Sequence, residues 1–268
     1  MPARSVSVHK LALGLQYHGA ALCGWQTQPN GQSVQDAVER ALLHFAGTPL
    51  ATICAGRTDA GVHATYQVVH VETAIERPLQ AWIRGVNRFL PHTIAVRWAR
   101  SVPPTFHARY SALGRRYDYW ILNDPVRAPL ALDRAGWVFR PLDLAAMQRA
   151  AALLTGTHDF SSFRSAECQA KSPVRDLRLL TVERSGSLLR IRAVANAFLH
   201  HMVRNIVGAL VYVGTGRHEP QWVAQVLAAR DRARAAPTFA AGGLYLTHVE
   251  YDPVLDLPPP DEAPPFLQ

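Results

Sequence analysis

Residues 55–64 read AGRTDAGVHA, and this stretch decides how the first half of the chain folds. The apolar pair 53–54 leads into it, and residues 67–71 leave it as an apolar run typical of a strand. Gly56 and Gly61 free the backbone, because glycine adopts dihedral angles that other residues resist. The pattern predicts a tight turn that joins or flanks two sheet strands.

Asp59 is the only acid in this turn, and Arg57 lies two residues before it. A strained turn with glycines on both sides is a frequent place for a catalytic side chain, so Asp59 is a candidate reactive carboxylate. An ordinary hairpin, in which the aspartate hydrogen-bonds its own backbone, would have the same residues. From these residues alone, both interpretations stay open.

The rest of the first half alternates strands and helices around this turn. Ser33 and Asp36 form a capping box at the start of one helix, whose apolar residues recur at helical spacing. The predicted elements are a strand over 10–17, a helix over 33–45, strands at 53–54 and 67–71, a helix over 79–90 and a strand over 94–100.

The second half repeats this kind of order. Asp143 caps one helix, and Ser185-Gly186 forms the turn of a hairpin. We read Gly214-Thr215-Gly216 as a helix stop, because it follows a helix and not a strand, unlike a dinucleotide fingerprint. The predicted elements are strands over 115–122, 177–183, 188–194 and 243–251, and helices over 143–154, from about 197 to 213 and from near Pro220.

These elements predict an α+β protein of two similar halves around an extended sheet. The N-terminal α/β half spans residues 1–105 and carries the aspartate turn. The C-terminal α/β half spans residues 106–252. Residues 253–268, rich in proline and acids, are predicted to form a loose tail.

The composition indicates a folded, basic protein. The chain has 268 residues, of which 49% are hydrophobic, and its 28 Lys and Arg exceed its 20 Asp and Glu by a net +8. Wholesale disorder and a small disulfide scaffold are therefore excluded. The positive charge, carried almost entirely by arginine, favours a polyanionic partner, although a codon bias toward arginine would give the same count.

The cysteines Cys23, Cys54 and Cys168 are odd in number and far apart, which fits a reducing cytoplasm better than a disulfide framework. No C-x-x-C pair accompanies them, so we predict no metal site and no cofactor. No apolar run approaches the roughly 20 residues of a membrane span, so we expect a soluble, cytoplasmic protein without a membrane partner.

Residues 196–205 read NAFLHHMVRN and place polar groups in an apolar stretch. In the predicted helix, His200 and Arg204 share a face. Arg204 would be costly to bury alone, so we expect a carboxylate partner, and Asp59 is the natural candidate. The adjacent histidines 200 and 201 fit core or nucleic-acid contacts better than a metal, because helix neighbours point about 100° apart.

Residues 115–120 read RRYDYW and set aromatic side chains beside basic ones on a strand. Such a strand can stack a base while it holds phosphates. A half-buried strand with its aromatics inward and its arginines outward explains the same pattern. Residues 105–109 and 160–164 mix aromatic and basic residues in a similar way, and this recurrence supports RNA.

With these motifs in hand, the chain closely resembles the tRNA pseudouridine synthase A family. The resemblance extends in order from residue 24 to residue 251, which is nearly the whole chain apart from its two ends. It rests on the blocks GWQTQPN, SVQDAVERAL, CAGRTDAGVHA, QVVHVET, FHARYSALGRRYDYWILN, HDFSSFR, NAFLHHMVRNIVGAL and GLYLTHVEY.

The resemblance implies an isomerase that converts uridine to pseudouridine in the anticodon stem-loop of tRNA, at positions 38 to 40. It assigns the nucleophile to Asp59, a base-contacting tyrosine to Tyr117, the arginine before the nucleophile to Arg57 and the arginine that pairs with the carboxylate to Arg204. Further substrate contacts are expected at Thr58, His63, His107, Arg109, Arg164, His200 and Leu246.

The resemblance also implies a homodimer that needs no cofactor. Together with the patterns, it predicts a mixed, mainly antiparallel sheet flanked by helices, with a central active-site cleft. Two other functions remain open from the residues: an RNA chaperone in which the turn is only structural, and a glycosidase that releases the base. A glycosidase would normally need a second acid, and none lies near Asp59 in the sequence.

Overall fold

The structure of the chain is a computed structural model that describes residues 8–262; residues 1–7 of the predicted N-terminal half and 263–268 of the predicted tail lie outside the described residues. The described part forms two compact units. The first holds the residues up to 113 together with those from 246 onwards, and the second holds residues 114–245.

The first unit is built on antiparallel strands. Its elements in chain order are β1 (His9–Tyr17), α1 (Val34–Ala46), β2 (Ile53–Cys54), β3 (His63–Thr73), α2 (Leu79–Asn87) and β4 (Ile94–Val102). β1 lies between β3 and β4, and the short β2 pairs with β3. The predicted order of strand, helix, strand, helix, strand is confirmed.

The capping of α1 follows the sequence prediction. The Ser33 hydroxyl accepts a hydrogen bond from the Asp36 backbone N–H, and the Asp36 carboxylate accepts one from the Ser33 N–H. The helix ends at Gly47, which adopts the left-handed conformation at a φ of 73°. Its apolar side, including the fully buried Val38 and Leu42, faces the core.

The second unit adds a parallel pair to its antiparallel strands. Its elements are β5 (Gly114–Asn123), β6 (Gly136–Val138), α3 (Leu144–Ala152), β7 (Gly156–Asp159), β8 (Val174–Ser185), β9 (Leu188–Ala195), α4 (Met202–Gly214) and α5 (Trp222–Ala229). β5, β9, β8 and β7 pair in that order, all antiparallel, and β6 pairs with β5 in parallel. β10 (Leu244–Glu250) begins in this unit and ends in the first.

The α+β class, with mixed, mainly antiparallel strands flanked by helices, is confirmed. The sequence analysis missed β6 and β7, which have three and four residues. Such short strands carry too few alternations to be recognised. No helix within residues 8–262 has the length and apolar character needed to cross a membrane.

The predicted start of α4 is wrong. The helix begins at Met202 and not near Ala197, and His201 precedes it in the left-handed conformation with a φ of 63°. The Asn196 side chain accepts hydrogen bonds from the backbone N–H groups of Ala197 and Asp176, and these bonds hold a turn instead of a helical start. His200 therefore does not share a helix face with Arg204.

The unit boundaries differ from the predicted domain boundaries at residues 105 and 252. Residues 106–113 pack in the first unit: the Tyr251 hydroxyl donates to the carbonyl of Ala108, and the Leu113 N–H donates to the carbonyl of Glu250. The tail begins in that unit too, since the Tyr66 hydroxyl donates to the carbonyl of Pro258. The three-part division stays a prediction.

Candidate active site

The turn predicted from residues 55–64 joins β2 to β3. The Ala55 N–H donates to the carbonyl of Val68 at 2.8 Å, and the Gln67 amide donates to the carbonyl of Gly56 at 2.6 Å. Gly61 adopts a φ of 78°, which only glycine reaches without strain. The turn presents Asp59 as a half-buried side chain and Arg57 as an exposed one.

Buried side chains behind the turn hold its backbone in place. The Thr58 hydroxyl lies 2.8 Å from the Tyr17 hydroxyl, and the Thr58 carbonyl accepts the N–H of Trp25 at 2.9 Å. The Nδ1 atom of His63 accepts the N–H of Gly19 at 3.0 Å. Thr58 and His63 are both buried, so in this structure they brace the turn that carries Asp59.

Gly24 approaches this turn more closely than any residue with a side chain could. A Cβ atom on Gly24 would lie 2.7 Å from the Thr58 carbonyl oxygen and 2.9 Å from the Asp59 carbonyl carbon. Gly24 also has a φ of 79°. The glycine is therefore required both by its own conformation and by the position of Asp59.

With Asp59 as the predicted nucleophile, Gly24→Ala should lower kcat by about 100-fold, because a displacement of about 1 Å in a catalytic group costs that much. Gly47→Ala is the matched control: Gly47 has a φ of 73°, but a Cβ there meets nothing within 4 Å. Both variants pay the same conformational cost of about 1 kcal/mol. Equal kcat values for the two variants, measured at a saturating concentration of substrate, would contradict the requirement for glycine at position 24.

Two arginines give this side of the first unit a positive field. Burial raises the pKa of the Cys54 thiol on β2 to about 12, while the charges of Arg57 and Arg109 act to lower it. The charges of both arginines thus act at Cys54, just before the turn that carries Asp59. Arg57 and Arg109 were predicted to contact the substrate, and such a field attracts phosphates.

His70 connects β3 to the loop that carries His107 and Arg109. Its Nδ1 atom accepts the N–H of Ala108 at 3.1 Å, and its ring lies 5.0 Å from that of His107. Burial lowers the pKa of His70 to about 4, helped by the charge of Lys10 and by the interaction with His107 and opposed by Glu72. His70 is therefore neutral at physiological pH, which its role as an acceptor requires.

Because of His70, the protein should become less stable in mild acid. Between pH 6.5 and 4 the unfolded chain binds a proton at this histidine and the folded chain does not, so the free energy of unfolding falls as the pH falls. In His70→Asn, whose Oδ1 can replace Nδ1, that fall should be smaller in urea unfolding at pH 7.5 and 5. An unchanged slope in His70→Asn would contradict the assignment.

Tyr117 lies on β5 in the second unit and is buried. Its ring meets that of Phe198 edge-on, with centroids 5.1 Å apart and planes at 85°. The alternative in which the arginines of this strand face outward does not hold for Arg115, which is buried and donates to the carbonyl of Asn196. The neighbouring Asp118 forms a two-bond ion pair with Arg192 at 2.8 and 2.9 Å, which fixes the strand next to Tyr117.

Arg204 lies in the first turn of α4, where its charge adds to the positive end of the helix dipole. Its Nε donates to the carbonyl of Phe239 at 2.9 Å, and the Phe239 N–H donates to the Arg204 carbonyl at 3.2 Å. This reciprocal pair fixes the base of the side chain. The arrangement creates an anchored positive charge suited to a carboxylate or a phosphate.

The other predicted contacts lie in different surroundings. The His200 carbonyl accepts the N–H of Ser165, and its ring lies 4.0 Å from that of His201. Arg164 follows a short 3₁₀ turn and is half-buried. Leu246 is fully buried in β10. Their contacts with substrate stay predictions.

Asn205 was quoted in its motif but assigned no role, and it is the main polar anchor beside Arg204. Its amide donates to the carbonyl of Phe163 at 2.7 Å, and its Oδ1 accepts from Thr238 at 2.7 Å and from Arg232 at 3.1 Å. Gln67 has the same kind of role behind the Asp59 turn. Both are fully buried amides in apolar elements. A single amide within an apolar stretch of sequence was the pattern that could have identified them, because a buried amide needs hydrogen-bond partners.

Comparison with known proteins agrees with this geometry. The chain matches the model of the tRNA pseudouridine synthase family over residues 13–111 and 150–252. Three proteins named tRNA pseudouridine synthase A align with 93–95% of the chain and with 93–96% of their own lengths. They come from Methylibium petroleiphilum, Burkholderia multivorans and Herminiimonas arsenicoxydans, at 59%, 58% and 55% identity.

The matched residues include the Asp59 turn, Arg204 and most of both units, and the relatives align along almost their full lengths. Such identity over so much of the chain shows common descent and a common fold. The chain belongs to the tRNA pseudouridine synthase family.

Proposed function

We propose that this chain isomerises uridine to pseudouridine in the anticodon stem-loop of tRNA, with Asp59 as the nucleophile. Family membership supports the reaction and the tRNA substrate. The observation that carries the assignment of Asp59 is the turn itself: a half-buried carboxylate on a glycine-flanked loop, braced from behind by Thr58 and His63.

The reaction breaks the bond between N1 of the uracil and C1′ of the ribose, turns the base and joins C5 to C1′. The C5 proton leaves and N1 regains a proton, so no atoms are gained or lost. Such a step needs a carboxylate nucleophile, a cation near it and a pocket that retains the detached uracil. We assign the first role to Asp59, the second to Arg204 and stacking on the uracil to Tyr117.

A uridine in a stem must leave the helix before it can react, which costs a few kcal/mol of stacking. Arg57 is exposed beside Asp59, and we propose that it fills the space left by the flipped base. Together with Arg109 it would also hold the neighbouring phosphates, since arginine binds phosphate through two parallel hydrogen bonds.

Purified protein incubated with unmodified tRNA tests the reaction. Tritium at C5 of uridine should be released, and carbodiimide mapping of the product should detect pseudouridine in the anticodon stem-loop. Free uracil would indicate a glycosidase instead. Bound tRNA with no change in any uridine would indicate an RNA-binding protein without chemistry.

Binding should depend strongly on salt, because the chain carries a net +8 and tRNA is a polyanion. The affinity for tRNA should fall by on the order of 100-fold between 50 and 200 mM salt, as expected for about four phosphate contacts. Activity should survive dialysis against a chelator, since we propose no cofactor. A flat salt response, or loss of activity on chelation, would contradict these two expectations.

We also propose a cytoplasmic homodimer. The segment from β5 to just beyond β6 exposes a group of apolar side chains, and such groups are typical of protein contacts. Their exposed fractions are 70% for Val126, 91% for Leu130, 72% for Leu132, 46% for Trp137 and 56% for Phe139. Light scattering should give twice the chain mass, and Leu130→Glu should reduce it; a wild-type monomer would contradict the proposal.

A further inference from the structure

Tyr110 is the most exposed aromatic residue that the structure describes, with 76% of its surface accessible. It lies in the loop between β4 and β5, which we call the tyrosine loop and define as residues 103–113. Exposure of a large aromatic ring to water is unfavourable, so a ring held in this way calls for an explanation.

The tyrosine loop is held rigidly by contacts within the first unit. Lys10 donates to the carbonyls of Pro104 and Phe106, at 2.8 and 2.9 Å. Ala108 is held from both sides, because its N–H donates to His70 and its carbonyl accepts the Tyr251 hydroxyl at 2.6 Å. The exposure of Tyr110 is therefore not a consequence of a loosely held segment.

The ring of Tyr110 is itself preorganised. It stacks on the ring of His107, with centroids 4.3 Å apart and planes at 30°. The Nδ1 atom of His107 accepts the backbone N–H groups of both Arg109 and Tyr110, at 3.2 Å each. One face of the tyrosine is thus supported by His107, and the Arg109 guanidinium lies 5.6 Å from the ring centroid.

The positive charge near Tyr110 favours a nucleic acid as the binding partner of this ring. Arg109 is adjacent in sequence, and its charge reaches the Cys54 thiol together with that of Arg57 from the catalytic turn. An exposed aromatic ring beside an arginine is the arrangement that stacks an unpaired base and binds the neighbouring phosphate. An apolar protein partner would not favour the positive charge of Arg109.

We propose that Tyr110 is a stacking platform for one unpaired base of the tRNA anticodon loop. This extends the substrate contacts predicted at His107 and Arg109 by a residue that the sequence analysis did not single out. The inference rests on the proposed function only in taking tRNA as the ligand. It concerns binding, so it can be tested apart from the chemistry.

The test measures the dissociation constant of a synthetic anticodon stem-loop RNA for wild type, Tyr110→Ala and Tyr110→Phe. Stacking on one aromatic ring is worth about 5- to 150-fold in affinity, so the alanine variant should bind more weakly by a factor in that range. The phenylalanine variant should stay within about threefold of wild type, because it retains the ring. Melting temperatures confirm that both variants fold.

Phe89→Ala is the matched control. Phe89 is 43% exposed and also stacks on a histidine, His44, at 5.4 Å, but it lies after α2 in the first unit, outside the tyrosine loop. Its loss should leave the affinity for RNA unchanged. An equal loss in Phe89→Ala and Tyr110→Ala would show a general effect of removing a surface ring and would overturn the proposal.

A second set of RNAs identifies the base. In each RNA, an abasic residue replaces one base of the loop. For the RNA that lacks the base stacked on Tyr110, the Tyr110→Ala variant should show no further loss of affinity. If every abasic RNA loses affinity to the same extent in wild type and variant, the ring does not stack on a loop base. An unchanged affinity in Tyr110→Ala, or an equal loss in the alanine and phenylalanine variants, overturns the proposal.

The outcome is separable from that of the proposed function. A wild-type protein that binds the stem-loop but forms no pseudouridine disproves the proposed reaction and leaves the Tyr110 measurement valid. A Tyr110→Ala variant with unchanged RNA affinity but an altered mass in light scattering would assign the ring to a contact between copies of the chain, against the proposal.

Discussion

Asp59→Asn should abolish pseudouridine formation, with kcat reduced by about 10⁴-fold or more, as expected when a nucleophile is removed. The amide has the shape of the carboxylate but no negative charge, and it is a far weaker nucleophile. The turn should keep its conformation, because hydrogen bonds of its backbone and of the Thr58, His63 and Gln67 side chains hold it. The measurement is tritium release under single-turnover conditions.

The same variant should bind tRNA within a few-fold of wild type, because phosphate contacts supply most of the binding free energy. Glu76→Gln, which neutralises an exposed carboxylate between β3 and α2, is the matched control and should leave kcat unchanged. Substantial turnover by Asp59→Asn would remove Asp59 from the role of nucleophile. Loss of both turnover and binding would indicate that the turn had unfolded.

Arg204→Ala should lower kcat by about 100- to 1,000-fold and change tRNA affinity little, because a fixed cation acts mainly on charge in the reacting site. We propose that its partner there is the Asp59 carboxylate. Arg204→Lys keeps the charge but loses the Nε bond to Phe239, so its kcat should fall between those of wild type and alanine. Single-turnover rates and dissociation constants separate the two effects.

The competing role for Arg204 is contact with an RNA phosphate. In that case the alanine variant would raise KM, reduce the dependence of binding on salt by about one phosphate contact and leave kcat nearly intact. Arg149→Ala is the matched control, since it removes an exposed arginine from α3 and should change neither constant. A raised KM with an intact kcat would contradict the pairing with Asp59.

Local sequence determined the elements whose signals are themselves local. The capping box of Ser33 and Asp36, the Asp143 cap of α3 and the Gly186 turn between β8 and β9 all lie where the sequence placed them. Each depends on contacts within a few residues, such as a hydroxyl on a nearby N–H or a glycine with positive φ. Tertiary packing leaves such signals intact.

Contacts between distant segments decided the rest. The start of α4 was misplaced because Asn196 bonds to Asp176 on β8 and Ser165 bonds to the His200 carbonyl, and neither partner is near in sequence. One of the two interpretations of residues 115–120 placed Arg115 outside, but it is buried, since its guanidinium reaches the carbonyl of Asn196. The hydrophobicity pattern of a sequence does not show which distant residues will form such hydrogen bonds.

For the site, the sequence by itself identified the candidate groups, which are the single carboxylate of Asp59 between two glycines and the arginines Arg57 and Arg204. It also gave a family resemblance that comparison with known proteins confirms. Only the tertiary structure decided that Thr58 and His63 brace the turn, that Gly24 must lack a side chain and that Tyr110 stands exposed on a rigid loop. The physical reason is that the type of a residue sets which chemistry its side chain can do. Burial and hydrogen-bond geometry arise from contacts between segments tens of residues apart. They decide which side chains support the site and which remain accessible to substrate.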